Sequence, residues 1–327
     1  MSDFSFSEDL IQIFQNRLQQ SQHILIVVHQ YPDLDAIGSA LGLHLALKSQ
    51  NINHDVWVAE SLNHSFDFLP DLDFISRKLN FSINYDTVIF LDCSHKSRVC
   101  QHQKLDIILE TAFSVNIDHH SDNSHFADLN LVSEISSVGE MLHILFKQMN
   151  WQLNREISLC LYAAICFDTG RFAYDNTTPQ TLKIAASLVS HNLSPNEIYQ
   201  AIYENKTALS FKLLQIALEN LVVNEDLGYA YTVIPLSAPK AHFKLVDFIR
   251  QLKGIDVFIV IQAVNSQKVK VNLRSKQDFN VSKFAQHFGG GGHIRASGLV
   301  FEDRDLVSCQ ELIIKKLESD LIKTKSN

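Results

Sequence analysis

The sequence predicts an α/β protein of two domains, an N-terminal one built on a parallel sheet and a smaller C-terminal α/β one. Three observations predict it. The 327 residues are more than one hydrophobic core usually serves. Through the first half, short apolar runs alternate with helical stretches, which implies right-handed crossovers between parallel strands. After the helical stretch Ala208–Asn220 the texture changes, and two strands are joined by a turn of only a few residues.

Ser7–Gln20 reads as a helix capped by Ser7, with Leu10, Ile11, Phe14 and Leu18 on one face. His23–Val28 is short, apolar and rich in β-branched residues, which suits a strand buried on both faces. A helix follows over Ala36–Ser49, and Asp55–Val58, Thr87–Leu91 and Phe113–Ile117 read as further strands. Helices are expected over Glu134–Met149, Arg155–Phe167, Thr178–Ser190, Pro195–Glu204 and Ala208–Asn220. Tyr229–Pro235, Asp256–Val264 and Val269–Ser275 then read as strands, with a helix over His242–Leu252 after the first. Asn265-Ser266-Gln267 suits a hairpin turn between the last two. A helix over Val281–Phe288, a glycine run, a strand over Ala296–Phe301 and a helix over Asp305–Ile322 complete the chain. The first domain is placed at residues 1–190, a linker at 191–209 and the second domain at 210–327.

Composition narrows the function classes. Lys+Arg 28 against Asp+Glu 36 leaves a net charge of -8, which argues against wrapping long nucleic acid while allowing a local basic pocket. No apolar run approaches the roughly 20 residues that span a bilayer. Met1–Glu8 shows no basic leader, so a cytoplasmic protein is expected. The five cysteines are odd in number and form no CxxC pair, which disfavours a disulfide framework or a thiolate zinc site.

Asp and His cluster at four places, each just past an apolar strand or helix end. Val27-Val28 leads into His29-Gln30-Tyr31-Pro32-Asp33-Leu34-Asp35, and Phe90-Leu91 into Asp92. Asn116-Ile117 leads into Asp118-His119-His120, and Ile165-Cys166-Phe167 into Asp168-Thr169-Gly170. In an open α/β sheet, the carboxyl ends of parallel strands meet in one crevice. Taken singly, each residue has an ordinary role: Asp35 would cap the helix starting at Ala36, and Asp92 or Asp118 would close a turn. Capping needs one Asp, however, and accounts neither for His29 nor for a His-His pair. Carboxylates gathered in one cleft repel one another, and a bound cation removes that penalty. The number of ligand-type side chains suggests two divalent ions about 3.5–4 Å apart sharing a bridging water that ionises near neutral pH. Mn²⁺ suits mixed oxygen and imidazole ligands, with Mg²⁺ or Co²⁺ as other choices. Metal-assisted phosphoester hydrolysis is the reaction class this implies.

The second domain carries Gly289-Gly290-Gly291-Gly292-His293, read either as a flexible turn or as a backbone nest for an anion. Arg274 ends the strand Val269–Ser275, and with His293 it would make a cationic pocket for a terminal phosphate.

Together these segments resemble the DHH/DHHA1 phosphoesterase family. The resemblance rests on His29-x-x-x-Asp33-x-Asp35-Ala36-Ile37-Gly38-Ser39, Asp92, Asp118-His119-His120, Asp168-Thr169-Gly170 and the run Gly289–Gly298. It implies that His29 and Asp33 hold one Mn²⁺, that Asp35, His119 and Asp168 hold the second, and that Asp92 bridges both. It further implies that Asp118 orients the histidine pair and that His120 contacts the scissile phosphate or assists the leaving group. Arg98 would lie near the phosphate. Arg274, the four glycines and His293 would hold the far end of the substrate, with the active site in the cleft between the domains. Its size is most similar to members that cleave short oligoribonucleotides and dephosphorylate 3′-phosphoadenosine-5′-phosphate, and dinucleotides of the pApA type are related substrates. Homodimers are common in the family. Gln30-Tyr31 departs from the basic residue many relatives carry before Pro-Asp, which bears on substrate preference. The competing readings are a pyrophosphatase or exopolyphosphatase of the same superfamily, disfavoured by the glycine-histidine segment, and a nucleotide-binding regulator without catalysis, disfavoured by the intact ligand set.

Overall fold

The computed structural model describes residues 3–62, 64–99, 103–241 and 245–325. The chain divides into two compact units, one ending at Asn205 and the other beginning at Lys206.

The first unit runs α1 (Glu8–Gln20), β1 (Ile24–Val28), α2 (Leu34–Ser49), β2 (His54–Trp57), β3 (Ile75–Ser76), β4 (Thr87–Leu91) and α3 (Gln103–Leu109). It continues through β5 (Phe113–Asp118), β6 (Leu129–Val132), α4 (Val138–Gln148), α5 (Arg155–Asp168), α6 (Pro179–Val189) and α7 (Pro195–Tyr203). All six strands are parallel, in the order β3-β2-β1-β4-β5-β6. β1 and β4 are buried at every residue, as strands covered on both faces must be. They are also neighbours in space, although the chain leaves β1 toward β2 on one side and reaches β5 on the other. The carboxyl ends of β1 and β4 therefore flank the topological switch point, where such sheets bind ligands.

Three helices crowd behind that point. A Cβ on Gly38 of α2 would sit 2.8 Å from the Cys160 carbonyl of α5, and one on Gly139 of α4 would sit 2.6 Å from Ala164 Cβ. α2 is buried from Leu34 to Leu47, which explains why it is apolar on all sides. It begins at Leu34 rather than Ala36, because Asp33 is the cap: its Oδ1 accepts from the Asp35 and Ala36 N–H groups at 3.0 and 3.2 Å. α4 begins at Val138 rather than Glu134, since Ser137 caps it by accepting from Glu140 N–H at 3.1 Å.

The second unit runs α8 (Ala208–Glu219), β7 (Val222–Asn224), β8 (Tyr229–Ile234), α9 (Leu245–Ile249), β9 (Val257–Ala263) and β10 (Val269–Ser275). It ends with α10 (Val281–Gln286), β11 (Gly291–His293), β12 (Ala296–Phe301) and α11 (Leu306–Lys325). Its sheet has the order β11-β12-β10-β9-β8-β7 and is antiparallel except between β8 and β9. Alternation along β9 supplies two cores. Val257, Ile259 and Ile261 pack with Ile313 and Leu317 of α11, while Phe258 and Val260 pack with Leu213 of α8 and Val246 of α9. The hairpin expected at Asn265–Gln267 joins β9 to β10. Residues 242–244, the first turn of the helix expected from His242, lie outside the described residues. The segment 191–209 carries α7 and the start of α8, and the two units divide within it. No helix among the described residues is long and apolar enough to cross a membrane.

Candidate metal centre

His29 follows β1, Asp92 follows β4, and Asp118 ends β5 with His119 and His120 immediately after it. Asp33 and Asp35 open α2, and Asp168 is the last residue of α5. Parallel strands in register bring the first group together, and the close packing of α2, α4 and α5 brings the second.

Asp92 is the shared member. Its Oδ2 lies 3.3 Å from His29 Nε2, while its Oδ1 lies 3.5 Å from His119 Nε2 and 3.4 Å from His120 Nδ1. His119 Nε2 also stands 3.1 Å from Asp168 Oδ2 and 3.9 Å from Asp35 Oδ2. Ligand atoms of His29, Asp33 and Asp92 fall within 4.8 Å of one another, as do those of Asp35, His119 and Asp168, and those of Asp92, His119 and His120.

His29, His119, His120 and Asp35 are each aimed by a partner. His29 Nδ1 meets the Gln30 carbonyl at 2.8 Å, and His119 Nδ1 meets the Ile135 carbonyl at 3.2 Å. Those contacts leave the Nε2 atoms facing the carboxylates. Asp35 is fully buried on the N-terminus of α4, where it accepts from Val138 N–H at 2.8 Å and Gly139 N–H at 3.0 Å; the Ser39 hydroxyl donates at 3.1 Å. Asp118 Oδ1 engages His120 Nδ1 at 2.7 Å, and its other oxygen takes the Asn123 amide at 2.6 Å. Asp118 thus orients His120 alone. The expectation that it orients the pair is corrected, because the Ile135 carbonyl has taken that place beside His119.

The electrostatics are those of a site built for cations. Burial, with the Asp92 and Asp168 charges added, raises Asp33 to about 6. Burial and the charges of Asp168 and Asp92 push Asp35 well above the ordinary carboxylate range. Burial acts in the same direction on Asp92, but the His119, His29 and His120 rings around it outweigh burial and hold that carboxyl well below the ordinary range. Burial pulls His29 down, yet the Asp92 hydrogen bond and charge raise it to about 9. Asp92 Oδ1 is buried without a hydrogen-bond partner among the described residues. Four carboxylates (Asp33, Asp35, Asp92, Asp168) facing two Nε2 atoms make a donor set that two divalent cations would neutralise. The residues fit such ions.

Backbone strain gathers here as well. Asp92 has φ 58° and Tyr31 φ 58°, and Arg171 and Phe172, just past Asp168, have φ 67° and 63°. These left-handed conformations are uncommon for residues with side chains and concentrate at functional sites.

The groups expected to hold the substrate are arranged differently from expectation. Arg98 lies in the turn after β4, and its carbonyl accepts the Gln30 N–H at 2.8 Å, tying that turn to the His29 loop. Its guanidinium makes no ion pair among the described residues. Arg274 Nε is engaged by Asp247 of α9 at 2.9 Å and Nη1 by the Leu273 carbonyl at 3.0 Å, so only part of its fork is uncommitted. The glycine run is not a nest. Gly289 and Gly290 donate their N–H groups to the Gln286 and Ala285 carbonyls, and Gly291–His293 pairs with Ala296–Gly298 as a β-strand. A Cβ on Gly290 would lie 2.4 Å from Leu299 Cβ, so close approach to β12 dictates the residue type. In register, Arg274 is opposite Ala296, which is opposite His293.

The sequence reading passed over the α4 N-terminus, the Ile135 carbonyl and Asn123. A signal for the first was present in Ser137-x-x-Glu140, a capping-box spacing. The other two are set by tertiary contact and carry no local pattern.

A doubly wound domain with a His/Asp cluster at its switch point, joined to a mixed-sheet domain, defines a class of metal-dependent phosphoesterases. Residues 23–165 match the DHH family, N-terminal domain, and residues 226–322 match the DHHA1 domain. The chain is 30% identical over 287 residues to the bifunctional oligoribonuclease and PAP phosphatase NrnA of Bacillus subtilis (strain 168), covering 84% of this chain and 88% of that protein. It is 29% identical over 301 residues to the protein of the same description from Thermus thermophilus, covering 91% and 90%. A solved exopolyphosphatase-related protein from Bacteroides fragilis superposes with a TM-score of 0.89 at 25% identity, covering 98% of this chain and 97% of that one. The chain belongs to the DHH family. It is a hydrolase acting on phosphoester bonds, and enzymes of this family depend on divalent metal ions.

Proposed function

We propose that this phosphoesterase hydrolyses short oligoribonucleotides and dinucleotides and removes the 3′-phosphate of 3′-phosphoadenosine-5′-phosphate, with Mn²⁺ as its preferred ion. The observation that carries the reading is the position of Asp92, common to two ligand trios. His29 and Asp33 would hold one ion and Asp35, His119 and Asp168 the other, with Asp92 placed between the two groups. Two bound ions would supply Lewis acidity at the phosphoryl group and an ionised water for in-line attack. The chain's own residues do the rest. Asp118 engages His120 Nδ1, so Nε2 is the ring atom left to meet the scissile phosphate or the leaving oxygen. Arg98 contacts the scissile phosphate, while Arg274, through its uncommitted nitrogen, and the Gly289–His293 segment bind the substrate's other end. The net charge of -8 and the descriptions of the two curated relatives support short substrates over long strands.

The test is a parallel assay with Mn²⁺ on a 5′-phosphorylated RNA dinucleotide, 3′-phosphoadenosine-5′-phosphate and pyrophosphate. Release of mononucleotide and AMP supports the reading. Cleavage of pyrophosphate alone would replace it with a pyrophosphatase, and bound nucleotide without turnover would replace it with a regulator.

A further inference from the structure

We propose that Asn176 is a positioning residue that sets the affinity of one of the two ions, the one assigned to Asp35, His119 and Asp168. The inference rests on the two-ion reading above.

Asn176 lies in the loop between α5 and α6. Its amide nitrogen donates to the Ser136 carbonyl at 3.1 Å and to the Asp168 carbonyl at 3.2 Å. Both partners are carbonyl oxygens, so the amide has one workable orientation, with its nitrogen toward them. Through Asp168 it holds the end of α5, which carries one ligand. Through Ser136 it holds the segment that fixes the other two. The Ile135 carbonyl aims His119, and the α4 N–H groups of Val138 and Gly139 grip Asp35.

That segment is braced again from behind. The Ser136 hydroxyl bonds to the buried carboxyl of Glu140, which also accepts the Thr181 hydroxyl of α6 at 2.9 Å. One side chain therefore links the backbone behind all three ligands of one trio. His29 and Asp33 make none of the Asn176 contacts: the Gln30 carbonyl holds His29, and the Asp35 and Ala36 N–H groups hold Asp33. Loss of the amide loosens one ion and spares its neighbour. Groups that orient metal ligands from behind typically change affinity about 10- to 100-fold.

The full chain, stripped of metal, is titrated with Mn²⁺ alone, by calorimetry and by electron paramagnetic resonance, as wild type, Asn176→Ala and Ser136→Ala. Wild type is expected to bind two ions and to show the spectrum of a coupled pair. Asn176→Ala keeps one ion at near wild-type affinity and binds the second about 10- to 100-fold more weakly, so one equivalent gives the isolated-ion spectrum. Ser136→Ala, which keeps the carbonyl and loses only the brace, weakens the same ion less. Equal weakening of both ions in Asn176→Ala, the mark of general loosening, would overturn the proposal, as would unchanged binding. A wild-type chain that takes up a single ion would instead remove the two-ion reading, and this inference with it.

Discussion

Asp118 Oδ1 lies 2.7 Å from His120 Nδ1, and both side chains are buried. The Asn123 amide secures the other carboxylate oxygen, which fixes Asp118 against the ring. On the proposed mechanism this fixes the orientation of the ring and turns Nε2 toward the phosphate and its leaving group. Asp118→Asn is expected to lower kcat about 10- to 100-fold with Mn²⁺ content unchanged. Steady-state kinetics beside metal analysis checks it. An unaltered kcat would make the pair purely structural.

Asp92→Asn is expected to cost more activity than any other single ligand change, because Asp92 groups with His29 and Asp33 and also with His119, a member of the other trio. Ions that bind only the folded chain raise its melting temperature by mass action. Excess Mn²⁺ should raise the melting temperature of wild type and fail to do so for Asp92→Asn. Near-wild-type turnover in that variant would refute the sharing of Asp92.

Burial holds His143 of α4 down to about 4, with the Lys147 charge adding to it, and its buried Nδ1 has no partner among the described residues. Its folded pKa lies below the ordinary value of about 6.5. The neutral ring therefore favours the fold above that pH, and this contribution is lost as pH falls toward 4. His54, also lowered to about 4 by burial, acts in the same sense. The raised carboxyls of Asp33 and Asp35 act in the opposite sense in the metal-free protein, so the test compares variants in thermal melts between about pH 6.5 and 4. Wild type should lose more stability, or gain less, across that range than His143→Leu, and identical slopes would assign no acid sensitivity to His143.

Arg274→Ala is expected to raise KM for the dinucleotide several-fold and leave Mn²⁺ binding unchanged. Arg274→Lys should recover little, since a point charge replaces the fork that Asp247 holds in place. Loss of metal from either variant would contradict the assignment.

Gly139→Ala would place a Cβ 2.6 Å from Ala164 Cβ, in the contact that brings Asp35 and Asp168 together. Overpacking of this kind costs on the order of 1–3 kcal/mol. Chemical denaturation should detect it, with weaker Mn²⁺ uptake in parallel.

The parallel sheet was legible because β1 and β4 are buried on both faces. That produces unbroken apolar runs that stop abruptly at His29 and Asp92. The short edge strands were not: β3 has two residues and β6 four, too few for a period to declare itself. β11 consists of Gly291, Gly292 and His293, which have no strand preference and pair only because β12 lies alongside. Asp33 and Asp35 could not be told apart as cap and ligand by spacing alone, and the α4 N-terminus that grips Asp35 lies 103 residues away in sequence. The same holds for Asp247, 27 residues from Arg274, whose pairing limits what that arginine has left to offer.

On the proposed mechanism Asp92 joins two ions. Crystals soaked in Mn²⁺ and measured at the manganese absorption edge would show it. Two anomalous peaks are expected about 3.5–4 Å apart, one beside His29 and Asp33, the other beside Asp35, His119 and Asp168, with an Asp92 oxygen ligating each. A single peak, or two with Asp92 on only one of them, would contradict it.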